Sequence, residues 1–163
     1  MPSTMSNVAD LLDLSGKRAL ITGAAAGIGR AIAVRFAQAG AHLELADIDE
    51  AALQETIKDL SEFPVATTPH VLDISDAEQR KAMWDGFADS VPDILVNNAG
   101  IYPFRDFVDV DEAFYRRVLA INLDSVYWMC QEMIRRRLKQ GGVIINIGSI
   151  EAILPVKDSV THY

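Results

Sequence analysis

The chain has 163 residues, of which 50% are hydrophobic and 23% charged, and its formal net charge is −8. This composition excludes a disordered chain, because there is enough apolar surface to offset the chain entropy lost on folding. The acidic balance argues against nucleic acid and against an anionic membrane surface as partners, because both are bound through basic patches. The length allows one domain, or the greater part of a larger one.

A single cysteine, Cys130, excludes an internal disulfide and a cysteine-rich metal site. We therefore expect a reducing, cytoplasmic environment. The histidines do not indicate a metal site either, because no metal-ligand spacing relates His42, His70 and His162. We interpret residues 1–13 as a weak leader without the basic start and apolar run of a signal peptide, and residues 14–163 as one domain.

Runs of β-forming residues alternate with stretches of helical periodicity along this domain. The predicted strands are Arg18–Thr22, His42–Asp47, Val65–Leu72, Ile94–Asn97 and Val143–Ile147. The predicted helices are Gly27–Ala39, Glu50–Leu60, Ala77–Ser90 and Asp111–Leu138. Such alternation predicts parallel strands joined by crossover helices, and apolar strand runs are typical of strands covered on both faces. We therefore predict a three-layer α/β/α fold with a doubly wound parallel sheet of the Rossmann type, and a binding crevice at the carboxyl ends of its strands.

A glycine-rich turn follows the first predicted strand and opens the first predicted helix. Gly23 permits the tight turn, Gly27 lets backbone amides approach a pyrophosphate, and Gly29 lets the helix pack close to the sheet. The N-terminus of the helix presents free N–H groups and about half a positive charge to an anion. The pattern predicts a dinucleotide site that includes Ala25 and Ile28 as well as the three glycines; the alternative is an ordinary glycine-rich turn.

An acidic residue ends the second predicted strand. Asp47 lies 18 residues after Gly29, where a carboxylate can accept hydrogen bonds from the ribose hydroxyls of adenosine. The same carboxylate repels a 2′-phosphate, and the neighbouring Ala26 and Ile48 offer no positive charge to bind one. Asp47 therefore favours NAD over NADP, unless it is a solvent-exposed loop acid like Asp49.

Several further motifs follow in a fixed order along the chain. They are Thr22-Gly23-x-x-x-Gly27-Ile28-Gly29, Asp73-Ile74, Asn97-Asn98-Ala99-Gly100, Asn122, Ser149 and Tyr163. In this order they resemble the classical short-chain dehydrogenases/reductases, and the resemblance extends from Leu14 to Tyr163. The three residues between the first two glycines match that subgroup of the family.

The resemblance implies further cofactor contacts. Asp73 and Ile74 match the pair that contacts the adenine of NAD, although Asp73 alternatively caps the next helix. Asn98, Ala99 and Gly100 match the segment that lines the cofactor and steadies the sheet.

The resemblance also implies a reaction, the interconversion of a secondary alcohol and a ketone. Tyr163 is then the general acid/base, Ser149 holds the reacting oxygen, and Asn122 holds a water in the proton relay. The family places a lysine four residues after the tyrosine, a position past Tyr163, and further strands after it. We therefore expect the 163-residue polypeptide, made alone, to lack measurable activity and to leave its fifth strand as an unprotected edge. A homodimer or homotetramer of the intact enzyme, assembled through the helix from Asp111, is also implied.

Two other functions remain open. The first is a non-catalytic NAD-binding module, and the second is a methyltransferase with a glycine loop, against which Asn98-Ala99-Gly100 argues. The alcohol or carbonyl substrate is also open among a polyol, a cyclic alcohol and a 3-oxoacyl thioester. Tyr102, Pro103 and Phe104 are candidates for an apolar wall of its site.

Overall fold

A computed structural model describes residues 11–88 and 90–150. The strands in these ranges are Arg18–Thr22 (β1), His42–Asp47 (β2), Thr67–Val71 (β3), Ile94–Asn97 (β4) and Val143–Asn146 (β5). The α-helices are Gly27–Gln38 (α1), Glu50–Leu60 (α2), Ala77–Gly86 (α3), Glu112–Leu119 (α4) and Ser125–Arg137 (α5). A 3₁₀ turn covers Phe107–Asp109, and a π-helical turn, Ala120–Asp124, joins α4 to α5. The first ten residues of the predicted leader, and Tyr163, lie outside the described residues.

The strands form one parallel sheet in the order β3-β2-β1-β4-β5. At the middle of the sheet, Leu20 of β1 lies opposite Glu44 of β2 on one side and Leu95 of β4 on the other. The chain runs outward from β1 through β2 to β3, and then returns to add β4 and β5 on the opposite side. The order of the strands therefore reverses between β1 and β4, which is where such sheets bind their ligands. The predicted doubly wound parallel sheet is confirmed.

Apolar side chains cover both faces of the sheet. Ala19 and Ile21 of β1 pack in a cluster with α1 and α2, whereas Leu20 faces a second cluster with α3 and α5. In the second cluster the fully buried indole of Trp84 donates a hydrogen bond from Nε1 to the sulfur of Met129 at 3.2 Å. Two apolar clusters on opposite faces confirm the predicted three layers.

Local hydrogen bonds explain where several helices begin and end. Asp49 accepts a bond from the N–H of Ala52 at the start of α2, and Asp76 accepts bonds from two N–H groups at the start of α3. Gly40 takes a φ of +89° after α1, a left-handed conformation that ends the helix. Within the described ranges, none of the helices is both long and apolar enough to cross a membrane.

The predicted helix from Asp111 to Leu138 is divided in the structure. The N–H of Ser125 bonds to the carbonyl of Ala120, five residues earlier, and this longer bond produces the π-helical turn between α4 and α5. Such a turn inserts an extra residue without changing the hydrophobic pattern enough to be read from the sequence. Asn122 is at the middle of this turn and lies at the carboxyl end of the sheet.

A buried carboxylate connects the three strands on one side of the sheet. Glu44 of β2 is only 3% exposed; its carboxylate pairs with Arg18 of β1 and accepts a hydrogen bond from Nε2 of His70 of β3 at 2.7 Å. Burial raises the pKa of Glu44, but the bonds from His70 and Arg18 together outweigh it and hold the pKa below its ordinary value of 4.5. The ionised carboxylate therefore stabilises the folded chain above that pH.

We predict that Glu44→Gln lowers the free energy of unfolding near pH 7 by about 2 kcal/mol. This is less than the loss expected for a fully buried pair, because Arg18 and His70 are partly exposed. Because the pKa of Glu44 is lowered by folding, the wild type loses this stabilisation as the pH falls below about 4.5 and through the folded pKa, and the variant does not. Urea unfolding measured across this pH range tests both statements.

The matched control for this prediction is Asp59→Asn. Asp59 forms an exposed ion pair with Arg30, so its removal is expected to cost less than about 1 kcal/mol. An equal effect of the two variants, or a Glu44→Gln variant with the acid sensitivity of the wild type, would contradict the role assigned to the buried carboxylate.

Candidate active site

A cleft of about 880 Å³ lies at the carboxyl ends of the strands. Twelve of the residues predicted from the sequence to form the site line it: Gly23, Ala25, Gly27, Ile28, Asp47, Asp73, Ile74, Asn98, Ala99, Gly100, Asn122 and Ser149. Gly29, also predicted, is not in contact with the cleft, and Tyr163 lies outside the described residues. The structure therefore brings together residues that are more than 120 positions apart in the sequence.

The glycine turn between β1 and α1 has the conformation that the sequence predicts. Gly23 and Gly27 have φ values of +65° and +54°, which are accessible to glycine and strained for other residues. A Cβ on Gly29 would collide with the carbonyl oxygen of Gly23 and would lie 2.6 Å from Nδ2 of Asn98. Gly29 therefore allows close packing of α1 on the turn, as predicted, rather than contact with a ligand.

The start of α1 is suited to bind an anion. No side chain caps the N–H groups there, and the first turn of the helix contains no acidic residue. A Cβ placed on Gly27 would meet no atom within 4 Å, so the backbone is open on the side of the cleft. Uncapped N–H groups and the positive end of the helix dipole are the features that bind phosphate groups at helix N-termini. The turn thus fits the diphosphate of a dinucleotide.

Asn98 connects the glycine turn to the end of β4. Its Nδ2 donates to the carbonyl oxygens of Thr22 and Gly23, at 3.0 and 3.1 Å. In return, Oγ1 of Thr22 accepts bonds from the N–H groups of Asn98 and Ala99, both at 3.0 Å. This role of Thr22 is not apparent from the sequence, because its partners lie 76 and 77 residues further along the chain. These bonds steady the sheet; contact of Asn98 with a cofactor stays a prediction.

Asp47 lies half-buried in the cleft beside the glycine turn. Its Oδ2 accepts a hydrogen bond from the N–H of Ala25 at 2.9 Å, and its Oδ1 accepts one from the N–H of Asp49 at 3.0 Å. Each carboxylate oxygen can accept a second bond. The carboxylate is therefore held in place by two backbone groups and still has capacity to accept bonds from two hydroxyl groups.

Asp73 and Ile74 follow β3 at the same end of the sheet. Oδ1 of Asp73 accepts bonds from the N–H and the hydroxyl of Ser75, at 2.8 and 2.6 Å. The alternative that Asp73 caps the next helix is wrong, because Asp76 caps it. The carbonyl of Ile74 accepts a bond from Nη1 of Arg80 at 2.7 Å, and this arginine, which the sequence analysis missed, is only 9% exposed.

Asn122 contacts the loop that follows β4. Its Oδ1 accepts a bond from the N–H of Ile101 at 2.9 Å, and its Nδ2 donates to the carbonyl of the same residue at 2.8 Å. The amide of Asn122 therefore fixes the backbone next to Tyr102. Its predicted binding of a water stays a prediction.

The first asparagine of the Asn97-Asn98-Ala99-Gly100 motif forms hydrogen bonds inside the protein. Asn97 is 3% exposed, and its Nδ2 donates to Oδ1 of Asn146 at 2.8 Å and to the sulfur of Cys130 at 3.3 Å. It thereby connects β4 to β5 and α5. Burial raises the pKa of the Cys130 thiol, so this sulfur is protonated at neutral pH and is a poor nucleophile.

The remaining cleft wall differs in part from the sequence prediction. Of the three residues predicted to form an apolar wall, Tyr102 lines the cleft, whereas Pro103 and Phe104 do not. The aliphatic side chains of Ile101, Ile121, Leu123 and Val126 line it instead, and Arg117 is its one cationic residue in the described part of the chain. The described residues contain no group of three or more His, Cys, Asp or Glu arranged to hold a metal ion.

Two curated relatives illustrate what the sequence is similar to. It is 39% identical over 141 residues to the "Probable oxidoreductase EphD" of Mycobacterium tuberculosis, an alignment that covers 84% of this chain and 24% of the relative. It is 41% identical over 138 residues to the 2-keto-3-deoxy-L-fuconate dehydrogenase of Xanthomonas campestris, with 84% of this chain and 44% of the relative covered. The chain thus spans less than half the length of either relative.

Solved structures show the same architecture. A short-chain type dehydrogenase/reductase from Mycobacterium marinum superposes with a TM-score of 0.89 at 34% identity, covering 97% of this chain and 66% of that one. L-sorbose reductase from Gluconobacter frateurii, solved with NADPH and L-sorbose, superposes with a TM-score of 0.87 at 29% identity, covering 93% of this chain and 59% of that one.

A family-wide sequence comparison covers most of the chain. The model of the family described as short chain dehydrogenase matches residues 17–163. This range includes all five described strands and the whole of the cleft. Together with the parallel sheet and the glycine turn, the match shows that the chain belongs to the short-chain dehydrogenase family of oxidoreductases.

Proposed function

We propose that the chain binds NAD in the cleft and that its protein interconverts a secondary alcohol and a ketone. The observation that carries the proposal is the position of Asp47. Its carboxylate is anchored by the N–H groups of Ala25 and Asp49 beside the open N-terminus of α1. A diphosphate at that terminus would place the adenosine ribose within reach of a carboxylate that accepts hydroxyl bonds.

The preference for NAD over NADP rests on charge. Asp47 and Asp49 both line this part of the cleft, and a 2′-phosphate there would meet two carboxylates. The related L-sorbose reductase was solved with NADPH, so the family as a whole includes both choices of cofactor. In this chain the neighbours of the glycine turn, Ala26 and Ile48, carry no positive charge that would favour NADP.

The proposed roles at the adenosine end follow from the contacts in the cleft. The uncapped N–H groups at Gly27 and Ile28 would bind the diphosphate, and Asp73 and Ile74 would contact the adenine. Gly29 would shape the turn without touching the ligand, whereas Gly23 and the backbone of residues 98–100 would line the cofactor.

The proposed chemistry needs groups that manage the proton of the substrate hydroxyl. Bound NAD supplies the hydride acceptor. In the oxidation direction Tyr163, as a phenolate, takes the hydroxyl proton while the hydride leaves the carbinol carbon, so that a ketone forms. The Ser149 hydroxyl holds the reacting oxygen, and Asn122 fixes the loop at Ile101, which lines the same cleft. The relatives named for 2-keto-3-deoxy-L-fuconate and L-sorbose support an alcohol or ketone substrate.

A homodimer or homotetramer is the proposed assembly. Tyr127 and Ile134 of α5, and Leu138 directly after it, recur at helical spacing, and all three are exposed. An exposed apolar stripe of this kind indicates an interface. We also propose a cytoplasmic location, on the basis of the single cysteine.

We predict that calorimetry detects binding of NAD to the wild type and that Asp47→Asn narrows the preference for NAD over NADP at least about tenfold. Asparagine still accepts the bond from Ala25 but lacks the charge that repels a 2′-phosphate. Glu50→Gln is the matched control, because it removes a nearby exposed charge that does not line the cleft.

The calorimetric outcomes separate the candidate functions. If neither NAD nor NADP gave a heat of binding, the proposed cofactor site would be contradicted. Binding of S-adenosylmethionine alone would favour a methyltransferase. An unchanged preference in Asp47→Asn would leave NAD binding in place but exclude Asp47 from the ribose site.

The catalytic roles are tested in a chain that carries this sequence, assayed for reduction of NAD with a series of secondary alcohols. There, Ser149→Ala and Tyr163→Phe are expected to lower kcat by a factor of about 10²–10⁴, while the dissociation constant of NAD changes little. Steady-state kinetics and NAD titration measure the two quantities. Full activity in Tyr163→Phe would assign the proton transfer to another group, and NAD binding without turnover on any alcohol would favour the non-catalytic module.

We predict that Tyr127→Glu shifts the protein toward monomer, because a charge would be buried in the proposed interface. Val108→Glu is the control, since Val108 is also exposed but lies in the 3₁₀ turn, away from the stripe. Sedimentation velocity measures the assembly. A wild type that sediments as a monomer, or equal behaviour of the two variants, would contradict the proposed interface.

A further inference from the structure

The buried hydroxyl of Thr56, on α2, contacts the glycine turn. Thr56 is 0% exposed, and its Oγ1 donates to the carbonyl oxygen of Ala25 at 3.0 Å. The same oxygen lies 3.3 Å from the carbonyl of Ala52 in its own helix, a contact that threonines in helices commonly make. The shorter contact connects α2 to the glycine turn, and its two residues are 31 positions apart in the sequence.

Thr56 and Asp47 hold two consecutive peptide groups of the turn. Asp47 accepts from the N–H of Ala25, which belongs to the peptide between residues 24 and 25. Thr56 donates to the carbonyl of Ala25, which belongs to the next peptide and shares a rigid plane with the N–H of Ala26. Together the two side chains determine how the turn enters α1.

The geometry of a trans peptide then sets the direction of the N–H of Ala26. The carbonyl and the following N–H of such a peptide point in opposite directions. Because the carbonyl of Ala25 is directed into the protein toward Thr56, the N–H of Ala26 is directed away from α2. Ala26 precedes α1 and lines the cleft, so this N–H lies next to the uncapped start of the helix, where an anion would bind.

We propose that Thr56 is a positioning residue for the diphosphate of the cofactor, acting through the peptide that joins Ala25 to Ala26. This inference rests on the proposed function, because it assumes that a dinucleotide occupies the cleft. Without the hydroxyl, the carbonyl of Ala25, on a residue that is 4% exposed, loses its side-chain donor. A buried carbonyl without a partner favours rotation of the peptide toward another donor or toward water, which would turn the N–H of Ala26 away from the anion.

The test compares Thr56→Val, which keeps the shape of the side chain but removes the hydroxyl, with Thr56→Ser, which keeps the hydroxyl. ADP and adenosine are the probes, because they differ only in the diphosphate, and NAD is titrated in parallel. We expect Thr56→Val to bind ADP and NAD about tenfold more weakly and adenosine with an affinity within about twofold of the wild type. Thr56→Ser is expected to retain most of the affinity for ADP.

Two controls separate positioning from general damage. Thr68→Val makes the same chemical change at an exposed site on β3 outside the cleft, and is expected to bind all three probes as the wild type does. Urea unfolding without ligand shows whether each variant is folded at the temperature of the titration. A general loss of structure would weaken ADP and adenosine equally, whereas a misdirected N–H weakens ADP alone.

The outcomes are distinguishable. Equal affinity of Thr56→Val and the wild type for ADP, equal loss of ADP and adenosine, or a Thr56→Ser variant as weak as Thr56→Val would each overturn the role of the hydroxyl. A wild type that binds neither NAD nor ADP would instead overturn the proposed function, and the inference with it. That failure is visible in the first titration, before any variant is compared.

Discussion

The close approach of α1 to the end of β1 is the constraint on which the rest of the site depends. There is no room for a side chain at Gly29, because a Cβ would collide with the carbonyl of Gly23 and crowd the amide of Asn98. That contact places the open N-terminus of α1 at the carboxyl ends of the strands, where the strand order reverses between β1 and β4. It also places Asn98 where it can hold the turn, which ties β1 to β4. The absence of a side chain at Gly29 is therefore what allows α1 to begin beside the cleft.

The cleft also shows how an acidic protein can bind an anionic ligand. The chain has a formal charge of −8, and among the described residues three carboxylates line the cleft against one arginine. Side-chain charge therefore cannot supply the attraction for a diphosphate. Oriented N–H groups and the dipole of α1 can, because they act at contact distance, whereas the carboxylates are held off by their own bonds to backbone groups. In the proposed complex, the carboxylate of Asp47 would discriminate at the ribose without opposing the diphosphate.

The sequence predicted much of this arrangement, because its strongest signals are local. The bounds of β1, β2, β4 and α2 are as predicted, since apolar runs and helical periodicity are both bounded by turn residues there. The π-helical turn was not predicted, because an extra residue in a helix leaves the pattern of apolar positions nearly intact. Glu44 was read only as part of an apolar strand, since its partners Arg18 and His70 each lie 26 residues away and become neighbours only when the sheet forms.

The side chains that sequence reasoning missed have one feature in common, and it explains why they were missed. Thr22, Thr56 and Arg80 each bond to backbone atoms around the cleft rather than presenting a functional group to it. A ligand that is bound by backbone groups needs no particular side chain at the contact, only side chains that hold the backbone still. Thr56 and Arg80 belong to no motif, because any side chain with a donor at the right place would serve.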